Sequence, residues 1–143
     1  MKYLYIAWGT DLNKAEFKTL REALGFSIQD VANLVQVNHR SVRRWEDAEY
    51  TQYRPPENVY DQFKKLDADF DNAAFEALTE AKLKEQALGE KPKVKLMRFL
   101  SNASLWESHP NFSGMTTTVH AAMLFRAKKL LEQHNFNVEI IYE

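Results

Sequence analysis

Apolar positions along this chain recur mostly at helical spacing, and short β-branched or aromatic runs interrupt the pattern at three places. Residues 3–8 (YLYIAW) are too short for a helix and predict a strand, as do Val94–Leu100 (VKLMRFL) and Val138–Tyr142 (VEIIY). Asn13 to Leu24 predicts a helix with Phe17, Leu20 and Leu24 on one face, closed by Gly25. Ser27 caps a second helix carrying Val31, Leu34 and Val35, and Asp30 completes a capping box. That helix ends near Gln36, and Asn38 caps a third in which Val42 and Trp45 face inward. Pro55-Pro56 then starts a long helix. Its residues Val59, Phe63, Leu66, Phe70, Ala73 and Ala77 follow a 4-3-4-3-4 spacing, a seam that covers the chain's own core or a second copy.

Gly89 to Pro92 divides the chain into residues 1–90 and 91–143. In the second part, Ser101–Ser108 predicts a short helix stopped by His109-Pro110. Thr116–Asn135 predicts a longer one with Met115, Val119, Ala122, Met123, Leu130 and Leu131 as its stripe. The strands of this module are expected to pair antiparallel. A strand–helix–helix–strand unit of this size does not hide its sheet alone, so it calls for residues 3–8, the long helix or a second copy. The fold expected is mainly α with a small β component (α+β). Residues 1–90 form a helix-turn-helix domain with an N-terminal strand extension and a long connecting helix, and 91–143 a dimerisation module.

Composition narrows the function classes. In 143 residues, 45% hydrophobic and 13% aromatic content fits an ordinary globular chain, and a net charge of −1 excludes nucleic-acid binding by bulk charge. A local basic patch stays open. The absence of cysteine excludes disulfides, thiolate zinc sites and cysteine nucleophiles. The apolar run near the start is short for a secretory signal, and no run reaches membrane-spanning length, so a cytoplasmic protein with no membrane partner is expected.

Function concentrates in Leu20–Ala48 (LREALGFSIQDVANLVQVNHRSVRRWEDA): two short helices joined by a turn of about three residues. Ala32 suits a steep, close helix crossing, and Val37 fills the turn. With Val42 and Trp45 turned inward, the second helix presents His39, Arg40, Ser41, Arg43 and Arg44. Gln36 to Trp45 holds three arginines and no acid. A helix fits the major groove, and arginine bonds guanine O6 and N7 in bidentate fashion. Asn38 and the amides at the helix start suit a phosphate. His39, Arg40 and Arg44 are expected at base edges, and Asn38, Ser41 and Arg43 at phosphates or flanking contacts. Gln29 joins them as a candidate DNA contact. The plainer alternative is a solvated basic face on an ordinary bundle.

These residues resemble the XRE-type helix-turn-helix family shared by lambda repressor and Cro. The match runs through Leu20-Arg21, Ser27, Gln29-Asp30-Val31-Ala32, Val37-Asn38, Val42, Trp45 and Glu46. Gln36 and Ala48 stand where the family usually has glycine. The order of elements around Met97-Arg98-Phe99, His109-Pro110 and Val119, Ala121 and Ala122 is similar to YdiL-like regulators and the anti-CRISPR-associated autorepressors of phages. The resemblance implies a homodimeric, sequence-specific transcriptional regulator, a repressor by expectation, acting on an inverted repeat in double-stranded DNA. It also implies that Glu46 reaches back to Arg21 and does not touch DNA. The alternative is a non-catalytic module that keeps the scaffold for a protein or RNA partner.

Other chemistry finds little purchase. His39, His109, His120 and His134 lack the spacing that seats a metal on one helix, and no P-loop or nucleophile elbow occurs. No enzyme activity, cofactor or metal is expected. Lys91, Lys93 and Lys95 either reach phosphates or guard an edge strand, the second being the safer reading.

Overall fold

A computed structural model describes residues 3, 4 and 13–143. Six helices and one small sheet follow in order among them. They are α1 (Lys14–Ala23), α2 (Ile28–Val35), α3 (His39–Glu46), α4 (Glu57–Leu88), β1 (Lys93–Arg98), α5 (Asn102–Ser108), a 3-10 turn (Pro110–Phe112), α6 (Thr117–Gln133) and β2 (Asn137–Tyr142). The class is mainly α with a small β component, as the periodicity predicts. Of the strand expected over residues 3–8, Tyr3 and Leu4 are exposed and irregular; the rest lies outside the described residues.

Local chemistry sets the boundaries. Ser27 and Asp30 form the reciprocal capping box that starts α2, and Asn38 caps α3 through its side chain. Ser101 and Thr116 cap α5 and α6 in the same way. Gly89, at φ 78°, takes the left-handed conformation that ends α4.

The seam on α4 differs from expectation. Its buried residues are Val59, Tyr60, Phe63, Phe70, Ala74, Leu78 and Ala81, while Leu66, Ala73 and Ala77 are half-buried. A straight helix repeats every 3.6 residues and drifts off a strict heptad, so the covered stripe moves round the helix over this length. What covers it is the chain itself. α6 packs along α4, and Arg126 on α6 bonds Asp67 at 2.7 Å and Asp71 at 3.0 Å. On α6 the buried residues are Val119, His120, Leu124, Ala127 and Leu131; Ala122, Met123 and Leu130 are half-buried.

The two strands pair in parallel, which corrects the antiparallel expectation. The register sets Val94 beside Val138 and Leu96 beside Ile140. α5 and α6 intervene between the strands, so the chain crosses over and re-enters the sheet in the same direction. Val138 packs with Leu78, Ala81 and Leu131, and Val94 and Leu96 join them. On the other face Lys93 pairs with Glu139 at 3.1 Å. Lys91 forms an ion pair with Glu85 at 2.9 Å, donates to the His134 carbonyl at 3.1 Å and lies over the Phe136 ring. Lys93 therefore bridges the two strands, and Lys91 ties the segment before β1 to α4 and to the segment before β2.

The chain bends at residues 89 and 90, yet one body of buried side chains runs across that point. Phe17, Leu24, Phe26 and Phe63 belong to the same cluster as Phe99, Leu105, Phe112 and Val119. Phe17 and Phe26 meet Phe63 edge-on at 5.4 and 5.0 Å between ring centroids, a favoured aromatic geometry. Gly25 marks a close backbone approach of the two parts. A β-carbon there would stand 2.8 Å from the Thr118 carbonyl oxygen on α6.

Candidate nucleic-acid interface

The arrangement of α2 and α3 follows from a few small or rigid positions. Ala32 is buried at the crossing, and Val31 and Val42 are fully enclosed beside it. Gln36 caps α2 at φ 57° and ψ 51°, so this residue takes the left-handed turn conformation usually left to glycine. The Val37 amide closes the turn by donating to the Ala32 carbonyl at 3.0 Å. Trp45 packs edge-on against Phe17 of α1, with 6.1 Å between ring centroids.

With Val42 and Trp45 inward, the outward face of α3 is fixed. At 3.6 residues per turn, Arg40 lies opposite the buried pair, with Arg43 and Arg44 to either side. His39, Arg40, Arg43 and Arg44 are all exposed, and Ser41 is half-buried at the margin. Arg40, Arg43 and Arg44 thus form a cationic face one helix wide with no acidic side chain between them. Asn38 is exposed at the helix start, its side-chain oxygen accepting from the Arg40 amide at 2.9 Å. Gln29 stands apart on α2, where its amide donates to Asn33 at 2.8 Å. The helix therefore brings His39, Arg40, Arg43 and Arg44 together with Asn38 and Ser41, and Gln29 comes from the neighbouring element.

Glu46 is not part of this surface. Its carboxylate accepts from Arg21 Nε at 2.7 Å and Nη2 at 2.9 Å, and both side chains are nearly buried. Arg21 Nη1 also donates to the Phe26 carbonyl at 2.8 Å. The pair ties α3 to α1 and to the turn before α2, as the resemblance implies.

Three residues around the interface escape a reading of the helix pattern. Arg44 lies over two tyrosines from the following loop, its guanidinium carbon 5.9 Å from the Tyr50 ring centre and 5.4 Å from Tyr53. Lys14, buried at the start of α1, donates to the carbonyls of Arg44 at 2.7 Å and Tyr50 at 3.0 Å, and to that of Tyr53. The tyrosines leave a faint trace in sequence, as an aromatic pair three apart just beyond an arginine-bearing helix. Lys14 leaves none.

No protein-family model matches this chain, and no curated protein matches it in sequence. Among the described residues no helix is long and apolar enough to cross a membrane, and no three potential metal-binding side chains come together.

Proposed function

We propose that this protein is a sequence-specific DNA-binding transcriptional regulator that inserts α3 into the major groove. The observation that carries the reading is the outward face of α3. Arg40, Arg43 and Arg44 stand there with His39, on a short helix locked from behind by Val42, Trp45 and the Arg21–Glu46 pair. In a chain of net charge −1, such a one-sided cluster is a local binding feature, distinct from a general excess of charge. Arginine suits guanine edges, and the positive dipole end at the start of α3 suits a backbone phosphate.

The protein acts as a homodimer and as a repressor. One recognition helix buries too little surface for tight specific binding, and a two-fold pair places two helices about 34 Å apart along the DNA. The long seam on α4 is spent within the chain, so the surfaces left for pairing lie elsewhere. Met97, Phe125 and Tyr142, each about half exposed or more, belong to the second part of the chain.

The test is selection of bound fragments from a random duplex library with purified protein. Enrichment of one inverted repeat, with affinity falling steeply as salt rises, supports the reading. Recovery without sequence preference, or no binding, refutes it.

A further inference from the structure

The loop after α3 is built as a mount for one arginine. Its backbone makes two successive turns, the Tyr50 amide donating to the Asp47 carbonyl at 3.1 Å and the Tyr53 amide to the Tyr50 carbonyl at 3.0 Å. The Asp47 side chain holds the Glu49 amide at 2.9 Å. These turns bring the Tyr50 and Tyr53 rings edge to face, 6.1 Å between centroids, beneath the Arg44 guanidinium. Lys14 fixes the base of the mount. An ammonium has three protons to donate, and here one reaches α3 and two reach the loop. Among the described residues neither Arg40 nor Arg43 stacks on an aromatic ring.

The chemistry of guanidinium makes this arrangement informative. Cation–π attraction draws the guanidinium charge toward the tyrosine rings without consuming its five N–H donors, and bidentate bonding to guanine uses two of them. The two interactions do not compete. A free arginine has many rotamers to lose on binding, and one already held against two rings has fewer. Tyr50 and Tyr53 remain 44% and 39% exposed, so the platform lies at the surface on the α3 side of the loop.

We infer that Tyr50 and Tyr53 are positioning residues for sequence reading: their rings hold the Arg44 guanidinium in place, leaving N–H donors for one guanine, and Lys14 fixes their loop. This inference rests on the DNA-binding reading above.

The experiment uses the full-length protein and the inverted repeat it selects, with each base pair varied singly. At the pair where Arg44→Ala loses preference, the wild type should discriminate by roughly 10- to 100-fold. The double variant Tyr50→Leu/Tyr53→Leu should lose that preference to the level of Arg44→Ala, with other pairs and the salt slope unchanged. Adding it to Arg44→Ala should cost nothing further. Tyr50→Phe/Tyr53→Phe keeps the rings and should keep the preference. Leucine variants that still discriminate overturn the inference alone, as do variants that weaken every sequence equally. Phenylalanine variants as poor as leucine overturn it in favour of a hydroxyl–phosphate contact. A wild type that selects no site overturns the regulator reading and this inference with it.

Discussion

Arg21 and Glu46 grip each other through two parallel N–H to carboxylate bonds, at 2.7 and 2.9 Å, across the joint between α1 and α3. Their side chains are only 8% and 5% exposed, so neither charge has water to fall back on. This pair joins the packing of Val42 and Trp45 in holding α3 against α1.

Removing one charge should therefore be felt in stability before it is felt in the proposed DNA affinity. Glu46→Gln leaves Arg21 buried without its counter-charge, a loss on the order of 3–5 kcal/mol. Thermal melting checks it, with affinity measured per folded molecule. An unchanged melting temperature would contradict the role assigned to the pair.

Gln36 offers the opposite sign. At φ 57° its backbone sits where a side chain costs about 1–2 kcal/mol, and the residue is exposed. Gln36→Gly relieves that strain, partly offset by about 0.4–1 kcal/mol from a freer unfolded chain. A small net gain in denaturant midpoint is expected. A loss would mean that the glutamine side chain makes a stabilising contact.

How much of this was legible in the sequence varies with the physics involved. Caps and inward faces are local, so Ser27, Asn38, Ala32, Val42 and Trp45 could be read from spacing alone. The exposed basic face of α3 followed from them. Strand direction is different, because whether Val94 lies beside Val138 in parallel depends on how α6 packs, and no local pattern records it. The α4 stripe is similar: heptad spacing picked out Ala73 and Ala77, but a straight helix buries Ala74, Leu78 and Ala81. Lys14 was illegible, since nothing around a lysine at a helix start announces three carbonyls, one on α3 and two in the loop after it, thirty or more residues away.

His120 predicts an acid-side weakness. It is 3% exposed, caged by Phe99 and Phe112, stacked on His109, and its Nδ1 has no hydrogen-bond partner among the described residues. Burial first, then the charges of His109 and Arg98, lower its pKa from 6.5 to about 4. Glu76 and Glu80 of α4 line the same groove. The unfolded chain binds a proton at higher pH than the folded one, so stability is full above pH 6.5 and falls as pH drops toward 4. The loss reaches about 3 kcal/mol at the bottom of that window. His120→Leu should flatten the slope between about pH 6.5 and 5, before ordinary carboxylates titrate. An identical slope in the variant would contradict the assignment.

Gly25 tests whether the two parts of the chain fold as one. It takes φ 85°, and a β-carbon would come within 2.8 Å of the Thr118 carbonyl oxygen and 3.1 Å of the Val119 α-carbon. Those are backbone atoms of α6, whose Val119 is fully enclosed beside Leu24 and Phe26. Neither can yield without lifting α6 from the turn between α1 and α2. Gly25→Ala therefore meets left-handed strain and overpacking together, each on the order of 1–2 kcal/mol. Because Phe99, Leu105, Phe112 and Val119 share one core with Phe26 and Phe63, the damage should spread to both parts. A single cooperative transition, lowered by at least about 2 kcal/mol, is the expected result in chemical denaturation. Deleting residues 92–143 should act in the same direction, exposing the faces of Phe26, Phe63 and Phe70 that the second part covers. Two separate transitions in the intact protein, with the variant shifting only one, would show that the parts fold independently and that the shared core does not couple them.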